Sequence, residues 1–151
     1  MYNLNTQEKI RNYILSSSEI VHNSVSLAPN IEKSITAIVK CLRKGNKVVL
    51  FGNGGSAADA QHIAAELIGR FNINRKSLPA IALSDNPSTI TAISNDFSFD
   101  SVFSRQCESL ISKGDIAIGI STRGNSLNVK KGINTSKKKG ATTIGQLGNK
   151  G

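Results

Sequence analysis

Apolar residues recur at helical spacing from Thr6 to about Ala28, with Ile10, Ile14, Val21 and Val25 on the stripe. Pro29 punctuates the pattern. Asn30 then stands where it could cap a second helix, Ile31 to Arg43, carrying Ile35, Ile38, Val39 and Leu42. Beyond Gly45-Asn46 the period changes. Short apolar runs at Lys47–Phe51, Leu78–Leu83, Asp115–Ile120 and Thr142–Leu147 read as strands. Helical segments separate them: Ser56 to Arg70, Thr89 to Ser94, Phe99 to Leu110 and Leu127 to Lys138. Strands that are apolar on both faces and alternate with helices predict a parallel sheet covered on each side. The two N-terminal helices have no strand between them and read as an added helical hairpin, suited to packing or oligomerisation.

Composition narrows this picture. The chain has 151 residues, enough for one domain with a real core. There is no apolar run of membrane-spanning length and no secretory leader, so a cytoplasmic protein is expected. Cys41 and Cys107 are spaced neither as a zinc knuckle nor as a redox pair and read as reduced thiols. The net charge of +9 would suit a nucleic-acid partner, but only five Phe and two Tyr could stack on bases, and no recognition motif occurs. Lys130-Lys131 and Lys137-Lys138-Lys139 therefore read as solvated helical faces, and no nucleic-acid partner is expected.

The candidate chemistry lies in two loops. Val48–Phe51 ends in Gly52-Asn53-Gly54-Gly55-Ser56, and an alanine-rich helix follows at once. Strand, glycine turn and helix together aim free N–H groups and the positive end of a helix at an anion. His62 and Glu66 stand one turn apart on that helix and can converge on one metal ion or one substrate atom. The second loop, Ser121-Thr122-Arg123-Gly124-Asn125-Ser126, sets hydroxyls at the start of another helix. Any one of them alone reads as an ordinary N-cap; with the first loop they read as a phosphate site. Neither loop is a dinucleotide fingerprint or a P-loop. An anion cradle beside an acid–base pair suits a phosphorylated small molecule.

GNGGSAADAQHIAAEL (Gly52 to Leu67), LPAIALSD (Leu78 to Asp85), SNDFSFDSVFSRQ (Ser94 to Gln106) and GDIAIGISTRGNS (Gly114 to Ser126) resemble the phosphoheptose isomerases. These are sugar-isomerase (SIS) domain proteins that interconvert sedoheptulose 7-phosphate and D-glycero-D-manno-heptose 7-phosphate. The resemblance implies a flavodoxin-like α/β three-layer sandwich. It implies substrate contacts from Asn53, Gly54, Gly55, Ser56, Glu66, Asn95 and Asp96, and a phosphate loop at Ser121, Thr122, Arg123 and Ser126. Catalytic and zinc-binding roles fall to His62 and Glu66, and the assembly implied is a homotetramer with active sites between subunits.

Two departures qualify that expectation. Arg123 replaces the serine usual at its place in the phosphate loop, although an Arg also pairs strongly with phosphate. The STRGNS version also resembles the replication initiator-associating protein, which implies as the alternative a non-catalytic SIS module binding a phosphosugar or a protein partner. Glu66 keeps the isomerase reading ahead. The family also continues past Gly148-Asn149-Lys150-Gly151 with a strand and a helix that complete the zinc site. The chain thus reads as one SIS domain, with helices at 1–44 and a C-terminally incomplete core at 45–151. Weak zinc binding and slow or absent isomerisation are expected of the 151-residue form.

Overall fold

The computed structural model describes residues 5–148, so the expected ending at Asn149–Gly151 lies outside the described residues. Four strands form one parallel sheet: β1 (Val48–Gly52), β2 (Ala80–Ala82), β3 (Ile116–Ser121) and β4 (Thr142–Leu147), in the order β2-β1-β3-β4. Every residue of β1 and β3 is buried, as expected of central parallel strands. The edge strands depart from that expectation. β4 is mostly exposed because only β3 pairs with it. Regular pairing of β2 is shorter than Leu78–Leu83, although Val48 N–H donates to Pro79 O and Leu83 N–H donates to Leu50 O at its two ends.

Helices cover both faces. Residues 37–43 of α2 (Ala28–Arg43) and α3 (Gly55–Ile68) pack on one, where Cys41, Ala60 and Ala64 meet Leu50 and Ile118. On the other, α4 (Pro87–Asp96), α5 (Val102–Leu110) and α6 (Leu127–Lys138) meet around Phe51, Phe103, Cys107 and Val129. Phe51 and Phe103 rings lie 5.3 Å apart. Asn86 Oδ1 accepts a hydrogen bond from Thr89 N–H and Pro87 takes the first helical position, so α4 begins before the expected Thr89 and runs on to Asp96. The segment from Phe99 opens as a 3-10 turn (Phe99–Ser101) before α5. Both cysteines are free and buried; burial pushes the Cys107 thiol up to about 11, against a hydrogen bond with Ser136.

The chain divides into two compact units between Thr36 and Ala37. In the first, α1 (Thr6–Asn23) has no buried residue and leads through a 3-10 turn (Ser24–Leu27) into α2. The expected hairpin is not formed. Asn23, Ser24 and Ala28 keep right-handed helical dihedrals, which do not reverse the chain. Pro29 and Asn30 lie inside α2, because a proline is tolerated in the first helical turn, where its missing N–H is not needed.

At the amino ends of β1 and β3 an ion pair between the buried Asp115 and the partly exposed Lys47 joins the strands. Asp115 accepts from Lys47 Nζ at 2.6 Å, Ser112 N–H at 2.8 Å and Lys47 N–H at 3.1 Å. Burial pushes its carboxyl up, but the hydrogen bond from Lys47, the two N–H groups and the Lys47 charge outweigh this and hold it below the ordinary range.

Candidate functional site

β1 and β3 are parallel neighbours in register, Gly52 beside Ile120, so the two polar loops leave the sheet side by side at its carboxyl edge. Open α/β sheets bind ligands at that edge. Gly52 is required by the crowding there. A Cβ on it would lie 2.7 Å from Ser56 Cβ and 2.9 Å from the Ile120 carbonyl oxygen. Gly54, with φ +56 and ψ −122, takes a backbone conformation that side chains disfavour and opens α3. Ser56 is buried and its N–H donates to Asn53 O, whereas the Gly54 and Gly55 N–H groups have no acceptor among the described residues.

The loops are tied together. Asn53 Nδ2 donates to Asn128 Oδ1 and Asn128 Nδ2 donates to Asn53 Oδ1, each at 2.9 Å. Ser121 and Ser126 hydroxyls lie 3.1 Å apart. Asn128, buried at the start of α6, is the residue that sequence reasoning missed. Its signal was an amide on the helix face that also carries Val129, Gly132 and Ser136, all buried. Asn128 Oδ1 also accepts from Val129 N–H and is filled, but each amide keeps one N–H, so Asn53 still has a donor to offer.

Ser121, Arg123 and Ser126 line a cavity of about 630 Å³ that continues along α6 and β4 past Lys130, Asn134 and Leu147. Thr122 is exposed and outside its lining. Asn53, Gly54, Gly55, His62 and Glu66 do not line it either. His62 Nε2 lies 3.9 Å from Glu66 Oε1, with the imidazole well exposed and the carboxylate about one-third exposed. Seven residues separate Gly55 from His62, about 10 Å along the helix. Asn95 and Asp96 occupy the last turn of α4, exposed and bonded to each other at 2.9 Å; no hydrogen bond joins them to either loop among the described residues.

Zinc, implied by the resemblance, meets a partial donor set. His62 and Glu66 are an imidazole and a carboxylate one turn apart, but no group of three His, Cys, Asp or Glu that could hold a metal occurs among the described residues. A catalytic zinc ordinarily has three protein ligands and one open position. The described residues do not make a closed metal centre.

A helix-covered parallel sheet with two polar loops at adjacent strand ends matches the SIS domain family over residues 12–148. The phosphoheptose isomerase of Aquifex aeolicus is 50% identical over 145 residues, covering 95% of this chain and 76% of that protein. That of Geobacter sp. is 50% identical over 125 residues, covering 83% of this chain and 65% of that one. Among solved structures, the phosphoheptose isomerase of Francisella tularensis superposes with a TM-score of 0.92 at 34% identity, covering 97% of this chain and 77% of its own. That of Neisseria gonorrhoeae gives 0.90 at 36% identity, covering 96% and 76%. The chain belongs to the SIS domain family and, within it, to the phosphoheptose isomerases. It spans roughly two-thirds to three-quarters of the length of these relatives.

Proposed function

We propose that the paired loops hold the phosphate of a heptose and that Glu66, with His62, interconverts sedoheptulose 7-phosphate and D-glycero-D-manno-heptose 7-phosphate. The observation that carries this reading is the side-by-side exit of the two loops from β1 and β3, locked by the Asn53–Asn128 amide pair. Free N–H groups at Gly54 and Gly55, two hydroxyls 3.1 Å apart and the Arg123 guanidinium suit a phosphate dianion. Relatives named phosphoheptose isomerase at 50% identity support the same substrate class over a non-catalytic module.

Removal of a C1 proton from the ketose, with a proton given to the C2 oxygen, makes an enediol; a proton returned to C2, with loss of the O1 proton, gives the aldose. A carboxylate suits the carbon proton and an imidazole the oxygen proton. Glu66 and His62 stand close enough to act on adjacent atoms. Because His62 lies about 10 Å and Glu66 about 16 Å down α3 from Gly55, a substrate reaching from the loops to this pair would bind extended. Zinc belongs to the proposal as a group that would take His62 and Glu66 among its ligands and polarise the sugar oxygens.

Thr122, Asn95 and Asp96 belong to the proposed substrate surface through the resemblance. The exposed apolar residues of α1, among them Ile10, Tyr13, Ile14 and Val21, suit the tetramer the resemblance implies. No helix among the described residues is long and apolar enough to cross a membrane, and a cytoplasmic site of action is part of the proposal.

The test is turnover of sedoheptulose 7-phosphate followed by NMR, with zinc supplied. Slow formation of the aldose, lost in Glu66→Gln and absent with unphosphorylated sedoheptulose, is expected. Equal rates for Glu66→Gln and the parent chain would remove Glu66 from the reaction.

A further inference from the structure

At the end of the sheet opposite the loops, the fold gathers positive charge that the proposed reaction does not use. Three turns enter β1, β3 and β4 side by side, about 4.8 Å from strand to strand. Their contacts fix that arrangement. Gly114 N–H donates to Gly140 O at 3.1 Å. A Cβ on Gly114 would lie 2.7 Å from Asn46 Nδ2, and one on Gly140 would lie 3.1 Å from Lys113 Cγ. On or beside these turns stand Arg43, Lys44, Lys113, Lys137, Lys138 and Lys139, all exposed. The first five form no ion pair among the described residues, and Lys139 Nζ is tied to Glu108 O at 2.6 Å.

Nearby acids do not neutralise them. Asp115 is buried and taken by Lys47, and the Glu108 carboxylate faces Arg105 at 3.5 Å. Helix dipoles account for only part of the pattern. α2, α3, α5 and α6 end on this side, and four helix ends amount to about −2 charges. Six cations far exceed that and repel one another across adjacent strand ends.

We propose that this face binds the phosphate backbone of a nucleic-acid duplex, without reading sequence. A duplex presents one negative charge per roughly 1.7 Å, so it can meet several of these cations at once and release its counterions. The face carries no aromatic side chain to stack on a splayed base, which favours a duplex over a single strand. The turn residues 44–46, 112–114 and 137–141 include no large exposed apolar side chain, so nothing there would insert into a bilayer or anchor an acidic peptide. The sequence pattern alone reads these lysines as separate solvated faces; the sheet brings them together.

Fluorescence anisotropy of a labelled mixed-sequence duplex against the full chain tests this across a range of salt. Five free cations lead to an expected slope of log affinity against log salt of about −4.5, at roughly −0.9 per phosphate met. The variant Lys113→Glu/Lys137→Glu/Lys138→Glu should bind at least about tenfold more weakly with a slope shallower by about 2.7. Its thermal unfolding checks that it still folds. Arg123→Glu/Lys130→Glu/Lys131→Glu, with the same change in net charge at the loop end of the sheet, should retain most of the affinity. The proposal is overturned if the chain does not bind the duplex, or if both variants lose affinity equally. It is also overturned if polyglutamate or anionic vesicles bind as tightly at matched charge.

Discussion

Ser121 and Ser126 show how much of the candidate site depends on individual side chains. Their hydroxyls lie 3.1 Å apart and bond to one another, and a phosphate oxygen can replace either partner. Removing both in Ser121→Ala/Ser126→Ala should weaken sedoheptulose 7-phosphate binding by about 2–4 kcal/mol, read by calorimetry. Unchanged affinity would place the phosphate elsewhere. At this scale the sequence singled out Asn53, whose side chain the structure ties across to the second loop, while the roles of His62 and Glu66 rest on the resemblance. It was silent on Asn128, because an amide near a helix start reads as solvated until the register of β1 with β3 sets it against Asn53. It also grouped Asn95 and Asp96 with the loops, whereas their nearest hydrogen-bonding partners are each other.

Among the elements, central strands and their helices were legible and the ends were not. β1 and β3 are apolar throughout because both faces are covered, and α6 and β4 fall on the expected residues. Patterning does not distinguish an edge from a centre, so β4 looked as buried as its neighbours. A proline likewise reads as a break although it is harmless in a first helical turn, which is why a hairpin was expected where α1 passes through a 3-10 turn into α2. The β1–α3 turn is the element least tolerant of change. Gly52→Ala would press a methyl against backbone oxygens of Ile120 and Ser56, both 2.9 Å from its Cβ. Overpacking of this kind costs about 1–3 kcal/mol. A lower urea midpoint together with weakened ligand binding is expected; loss of neither would mean that the turn relaxes freely.

For the molecule as a whole, acid sensitivity should follow Asp115. Its folded carboxyl titrates below the unfolded value near 3.9. The stability it supplies is therefore present above that range and is lost as pH falls through the lower folded value. Asp115→Asn should cost roughly 2–4 kcal/mol near neutrality, because it leaves Lys47 without its partner. In urea melts the difference from the parent chain should shrink steadily below pH 4. A constant difference at every pH would remove the carboxylate from that role. The account rests most heavily on a ligand site shared by the two strand-end loops, and that can be tested without turnover. Titrating isotopically labelled protein with sedoheptulose 7-phosphate should shift the backbone amide signals of Gly54, Gly55, Ser121 and Ser126 together, with one saturation curve. Shifts that leave both loops unaffected at saturating ligand would contradict it.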